Sequence, residues 1–149
     1  MSDEPAANPR VFVDSNIWLY AFIEGDDPTK TAIAKSIVAG SQIVTSTQVI
    51  NEVSRNLLRK AQFTEERIQT LIDSFHARHS VVPLDQATLR RASELRARHQ
   101  FAFWDGLIVA AALAGQAEIL YSEDMHDGLL VDGQLQIRNP FRPKSVRIS

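Results

Sequence analysis

Apolar residues arrive along this chain in two rhythms. One is the short unbroken run: "VFV" at 11–13, "QIVTST" from Gln42, "SVVPL" from Ser80 and "EILYSED" from Glu118. Runs of this length, bounded by polar or turn residues, fit strands buried on both faces. The other rhythm is helical. From Asn16, the positions Ile17, Tyr20 and Ala21 suit a helix that stops near Gly25. After Asp26-Asp27-Pro28, residues Ala32, Ile33, Ile37 and Val38 mark a second helix, closed by Gly40. Thr47 is placed to cap a third, with Val49, Ile50, Val53, Leu57 and Leu58 on one stripe. Glu52, Arg55, Asn56 and Arg59 fall on a different face, so Glu52 is not expected to point into the core. Thr64 opens a fourth helix with Ile68, Leu71, Ile72 and Phe75 inside. Asp85 caps a fifth, rich in Arg, that buries Ala87, Leu89, Ala92 and Leu95. The segment "WDGLIVAAALAGQ" is a sixth, whose small residues suit close packing on a sheet, and "LQIRNP" reads as a further edge strand.

Strands alternating with helices, and no hairpin signal between the first strands, predict an α/β domain with a mainly parallel central sheet flanked by helices. One domain is expected over 10–149, behind a flexible N-terminal tail at 1–9. No repeat, linker or low-complexity segment interrupts it.

Composition narrows the chemistry. The 149 residues are 44% hydrophobic and 23% charged, enough for a sizeable core, and no run approaches the roughly 20 apolar residues of a membrane span. With an acidic, Pro-bearing start in place of a secretory leader, a cytoplasmic protein is expected. The absence of cysteine removes disulfides, thiolate nucleophiles and zinc–thiolate sites at once. The four histidines, His76, His79, His99 and His126, make no metal-binding spacing, so any metal must be held largely by oxygen.

Acids mark the strand ends. Asp14 follows the first strand, Glu52 lies in the first turns after the second, Asp105 opens the small-residue helix, and Asp124 follows the last clear strand with Asp127 close behind. In a parallel sheet these points share one edge, where ligands bind. Each acid taken alone has a plain account: Asp14, Ser15 and Asn16 are all good caps, Glu52 suits a solvent-facing helix position, and Asp124 suits a turn. Asp105 is harder to dismiss, because it stands between "FAFW" and "GLIVAAALA". Gathered together, these carboxylates raise one another's pKa unless a cation compensates, which points to Mg²⁺ or Mn²⁺.

The segments "VFVDSNIWLYAF", "TSTQVINEV", "FAFWDGLIVAAAL" and "YSEDMHDG", with the trailing "IRNPF", resemble in order the four motif regions of PIN-domain ribonucleases, most nearly the VapC type of toxin. The resemblance spans about Arg10 to Phe141. It implies a PIN-like three-layer α/β/α fold and a Mg²⁺- or Mn²⁺-dependent endoribonuclease that leaves 5′-phosphate and 3′-hydroxyl ends. Asp14, Glu52, Asp105 and Asp124 match the family's acidic quartet, and Asn16 and Ser122 match its polar accompaniment. The last motif offers both Asp124 and Asp127 as the fourth ligand. The same resemblance implies a cognate antitoxin and a toxin homodimer.

Setting aside those five acids changes the formal charge from −2 to +3, so the surface outside the cleft is mildly basic and suits an RNA substrate. Its cations cluster at Arg55/Arg59/Lys60, Arg90/Arg91/Arg96/Arg98 and Arg142/Lys144/Arg147, although a solvated helix face is the plainer account of each. Trp104 is read as core in preference to a base-stacking ring, His126 as a surface residue in preference to a catalyst, and the apolar stretches Ile33 to Val38 and Leu57 to Phe63 as core in preference to antitoxin grooves. Two alternatives stand beside the toxin: a PIN nuclease of RNA processing without an antitoxin, and a non-catalytic RNA-binding module. A dehalogenase-like phosphatase is disfavoured, since its second acid, two positions after the first, is here Asn16.

Overall fold

The computed structural model describes residues 8–40 and 42–142; residues 1–7 of the tail expected at 1–9, and the basic residues Lys144 and Arg147, lie outside them. Six strands and six helices follow in the order β1 (Val11–Val13), α1 (Ser15–Phe22), α2 (Pro28–Val38), β2 (Ile43–Ser46), α3 (Thr47–Lys60), α4 (Glu65–Arg78), β3 (Ser80–Val82), α5 (Gln86–His99), α6 (Phe103–Ala114), β4 (Ile119–Tyr121), β5 (Leu130–Val131) and β6 (Leu135–Arg138). They form one sheet in the order β3-β2-β1-β4-β6-β5. Every pairing is parallel except β5 with β6. The expected α/β fold is therefore present, with helices flanking a mainly parallel sheet.

The strand order carries a functional consequence. The chain builds outward from β1 to β2 and β3, then returns across the sheet to add β4 on the other side of β1. The right-handed crossover rule puts α1 to α4 on one face and α5 and α6 on the other, and the packing agrees: α1 meets α2 and α3, α3 meets α4, and α5 meets α6. The reversal between β1 and β4 leaves a crevice at their carboxyl ends, the place where open α/β sheets bind ligands. Asp14 ends one of these strands and Ser122 the other.

The core explains the elements. Phe12 and Val13 of β1, Val44 of β2, Leu120 of β4 and Ile137 of β6 are fully buried, as strands covered on both faces require. Trp18 of α1 is fixed by an indole hydrogen bond to the Val13 carbonyl at 3.1 Å and an edge-to-face contact with Phe75 of α4. Gly115 ends α6 against the sheet, where a β-carbon would come within 2.4 Å of Val44 Cγ1. A larger residue there would force the Val44 side chain to move.

Two local expectations are corrected, and of the three caps open to α1 one is selected. "LQIRNP" does not supply the edge: β6 lies between β4 and β5, and the two-residue β5 takes the edge through a tight return with Asp132 and Gly133 at positive φ. A strand of two residues has too little alternation to register in sequence. The cap of α3 is Ser46, whose hydroxyl accepts from Val49 N–H, one residue before the expected Thr47. The cap of α1 is Asp14 itself, which leaves Ser15 and Asn16 free for other work.

Candidate active site

Strand β1 delivers Asp14 to the crevice and α1 fixes it there. Its extended backbone turns the chain from strand to helix, and one carboxylate oxygen accepts from Ser15 N–H at 2.7 Å. The other accepts from the Ser122 hydroxyl at 2.9 Å, across the β1–β4 switch point. Asp14 is only 9% exposed. Burial, reinforced by the like charges of Glu52 and Asp105, pushes its pKa up to about 6 against the pull of the Ser15 and Ser122 hydrogen bonds.

Glu52 stands in the second turn of α3, half-buried, and reaches the same place. The Ser15 hydroxyl donates to one of its oxygens at 2.9 Å and the Gln48 amide to the other at 2.9 Å. Ser15 thus joins the two acids, giving its backbone N–H to Asp14 and its hydroxyl to Glu52. Asn16, one position on, donates to Asp124 at 2.7 Å. Three consecutive residues of the first motif therefore serve the cluster, one as an acid and two as its tethers.

Asp105 lies in the first turn of α6, half-buried, and its carboxyl is pushed above the ordinary range by burial and then by Asp124 and Glu52, with His126 pulling the other way. Asp14 and Asp105 thus both feel the charge of Glu52, and Asp105 that of Asp124 as well. With Asp124, Asp127, His126 and Arg142, Asp105 lines an open cavity of about 400 Å³. Gly106 holds α6 in place: a β-carbon there would stand 2.7 Å from Arg96 Cγ and 3.2 Å from the Ala92 carbonyl, so α5 and α6 meet only because it has none.

Asp127 lines the same cavity but is engaged elsewhere. It accepts from Asn139 N–H at 2.9 Å and approaches Arg142 at 3.8 Å. Asp124 is exposed and held by Asn16 alone among the described residues.

Sequence reading missed Gln48 and Glu123. Gln48 precedes Glu52 by four residues, a spacing that places the two side chains together on a helix and was legible in "QVINE". Glu123 accepts from the Tyr20 hydroxyl at 2.7 Å and pairs with Lys30, tying the segment that carries Asp124 to α1 and α2. Nothing in the local sequence marks that link, because its partners lie 93 and 103 positions away. Trp104 is a correction: it is 62% exposed, since α6 buries its Leu107 to Ala112 side and turns its first residues outward. His126 is exposed, as expected.

A PIN-domain family model matches residues 11–126. The chain belongs to the PIN-domain family. No curated protein gives a significant sequence match. Among solved structures, the PIN fold recurs in a toxin–antitoxin complex from Klebsiella pneumoniae, at TM-score 0.67 and 20% identity over 89% of this chain and 99% of that one. It recurs also in VapC20 of Mycobacterium tuberculosis, a sarcin-ricin loop cleaving toxin, at 0.61 and 21% over 76% and 89%. A DNA-bound VapBC from Salmonella typhimurium aligns at 0.61 and 13% over 89% and 98%. These likenesses extend the fold of this PIN domain over nearly the full length of their chains.

The PIN-domain acids were tested against the donor chemistry of a divalent cation. Asp14, Glu52, Asp105 and Asp124 offer oxygen only, the hard donor type that Mg²⁺ and Mn²⁺ select. The raised pKa of Asp14 and Asp105 is the energetic cost that a cation would remove. Among the described residues no three His, Asp or Glu side chains stand ready-set around a metal position. The carboxylates are instead parked on Ser15, Ser122, Gln48 and Asn16. The donor set fits the ion, and Asp105 and Asp124 are its least restrained members among the described residues.

Proposed function

We propose that this PIN domain is a metal-dependent endoribonuclease and the toxin of a VapBC-type toxin–antitoxin pair. The observation that carries the reading is Asp14: a buried carboxylate at the topological switch point that feels the like charges of Glu52 and Asp105, with no cationic side chain among the described residues to offset them. Such a group has a task that packing does not explain.

Asp14, Glu52, Asp105 and Asp124 would hold one or two Mg²⁺ or Mn²⁺ ions. When bound, the ion supplies an acidified water as nucleophile and neutralises charge on the phosphodiester oxygens. The chain's own residues do the positioning. Ser15 and Ser122 fix Asp14 in one orientation, Gln48 and Ser15 fix Glu52, and Asn16 keeps Asp124 within the crevice. Asp127 is assigned to the loop, through Asn139 and Arg142, and the fourth ligand to Asp124. No histidine is needed as a base.

An antitoxin partner belongs to the same reading. Two grooves are lined by apolar side chains: one by Ile33 and Ile37 of α2 with Tyr121, Arg138 and Arg142, the other by Ile50, Leu58, Ile68 and Ile72 between α3 and α4. Both expected core stretches are thus split between buried residues such as Ala34 and Leu57 and partly open ones. The Klebsiella toxin–antitoxin complex and the Salmonella VapBC support a protein partner of this kind.

The test is cleavage of RNA by the purified protein. Activity with Mg²⁺ or Mn²⁺, lost in EDTA and in Asp14→Asn, with 5′-phosphate products, is the expected result. Metal-independent cleavage, or full activity in Asp14→Asn, contradicts the mechanism.

A further inference from the structure

Phe103 and Trp104, at the first turn of α6, are the two most exposed large apolar side chains among the described residues, at 58% and 62%. Their rings meet edge to face with centroids 5.2 Å apart. The pair is fixed from behind. The Arg96 guanidinium lies 4.3 Å from the Phe103 ring centroid and donates to the Phe103 carbonyl at 3.2 Å, while its stem lies against Gly106. An aromatic shelf, backed by a cation, therefore stands in the same first turn of α6 as Asp105, beside and not within the cavity that Asp105 lines.

Two occupants compete for such a shelf. A stable protein interface takes about 800 Å² from each partner, and two aromatic side chains supply roughly 300–500 Å² even when covered completely. A nucleobase needs only one π face, and a cation nearby suits the phosphate that follows it. An unpaired base has a free face, whereas a base inside a duplex has spent both on its neighbours. We infer that Trp104 stacks on an unpaired base of the RNA, close to the phosphodiester presented to Asp105, and so sets which single-stranded segment is cut. This rests on the nuclease reading: the acids act on the phosphate and the indole positions the strand.

The chain makes this directly readable, because its other tryptophan, Trp18, is 3% exposed. Acrylamide-quenchable emission belongs to Trp104. The Asp14→Asn protein is titrated in Mg²⁺ with a short unstructured RNA oligonucleotide containing all four bases. Binding is expected to quench the exposed emission and shield it from acrylamide. Trp104→Ala is expected to weaken RNA binding about 5- to 150-fold, with Trp104→Phe recovering most of it. With Asp14 intact, both Trp104 variants should match the parent protein in thermal transition and in Mn²⁺ affinity. RNA binding that leaves Trp104 emission and acrylamide access unchanged overturns the inference, as does full affinity in Trp104→Ala or a failure to bind the oligonucleotide. Shielding that grows with protein concentration in the absence of RNA also overturns it, in favour of a second copy of the chain. If stacking is seen while the parent protein cuts no RNA, the nuclease reading fails and the platform stands. If RNA is cut without stacking, the reverse holds.

Discussion

The crevice has two unlike walls. On one, Asp14 and Glu52 are buried or half-buried and accept four short hydrogen bonds from Ser15, Ser122 and Gln48. On the other, Asp105 and Asp124 face an open cavity, and Asn16 provides the single side-chain tether among the described residues. Both walls carry the same charge, so the difference lies in restraint. A fixed wall holds its geometry at an energetic cost met during folding, whereas a loose wall leaves its acids free to adjust to whatever binds. If that division is right, substitutions on the two walls should fail in different ways.

The largest effect is expected for the acids themselves. Asp14→Asn and Asp105→Asn should each lower RNA cleavage at least about 10³-fold, since several kcal/mol of charge stabilisation disappear at tenfold per 1.36 kcal/mol. Single-turnover cleavage of one RNA by both variants checks this; near-parental rates in either would remove that wall from the chemistry.

Next comes the support of the fixed wall. Ser122→Ala frees Asp14 from its link to β4 and should cost about 10- to 100-fold in metal affinity or rate. Asp127→Asn, on the loop side, should cost less than about threefold, as side chains outside the ligand set usually do. Equal losses in the two variants would place Asp127 among the ligands.

The fixed wall also predicts a stability signature of unusual sign. The pKa of Asp14 is raised from 3.8 to about 6, so the folded chain holds this proton more tightly than the unfolded one. Its contribution is present at low pH and is lost as pH climbs from about 4 through about 6, amounting to roughly 3 kcal/mol. Asp14→Asn should therefore unfold at a higher temperature than the parent at pH 7.5, and the gap should shrink towards pH 4. Calorimetric scans at both values decide it. In the parent, cleavage should fall as pH drops through about 6, because the proton and the cation compete for the same oxygens.

The smallest effect concerns packing behind the loose wall. Gly106→Ala must push Arg96 aside and should destabilise the fold by about 1–3 kcal/mol, read by urea denaturation.

How much of this was legible beforehand follows the same division. The acids and their order at strand ends were readable, because "VFVD", "INEV", "FWDG" and "YSED" each break an apolar pattern with a carboxylate. The parallel sheet followed from alternating rhythms. The tethers were less visible, since Ser15, Asn16 and Ser122 are equally at home as caps or turn residues, and only the β1–β4 crossing makes Ser122 a partner of Asp14, 108 positions away. Trp104 misled because an aromatic ahead of an apolar helix looks like core. Its exposure depends on the direction from which α6 meets the sheet, which no local window contains. The short β5 and the Glu123 tether arise from the same long-range packing.

Metal binding tests the account most directly, because it asks of the carboxylates what cleavage assays ask only through RNA. Isothermal titration of Mn²⁺ into the purified chain at pH 7.5 should show binding, abolished in Asp14→Asn and strongly weakened in Asp105→Asn, yet preserved in Trp104→Ala. Unchanged Mn²⁺ affinity in both acid variants would contradict the claim that this sheet edge is a metal site.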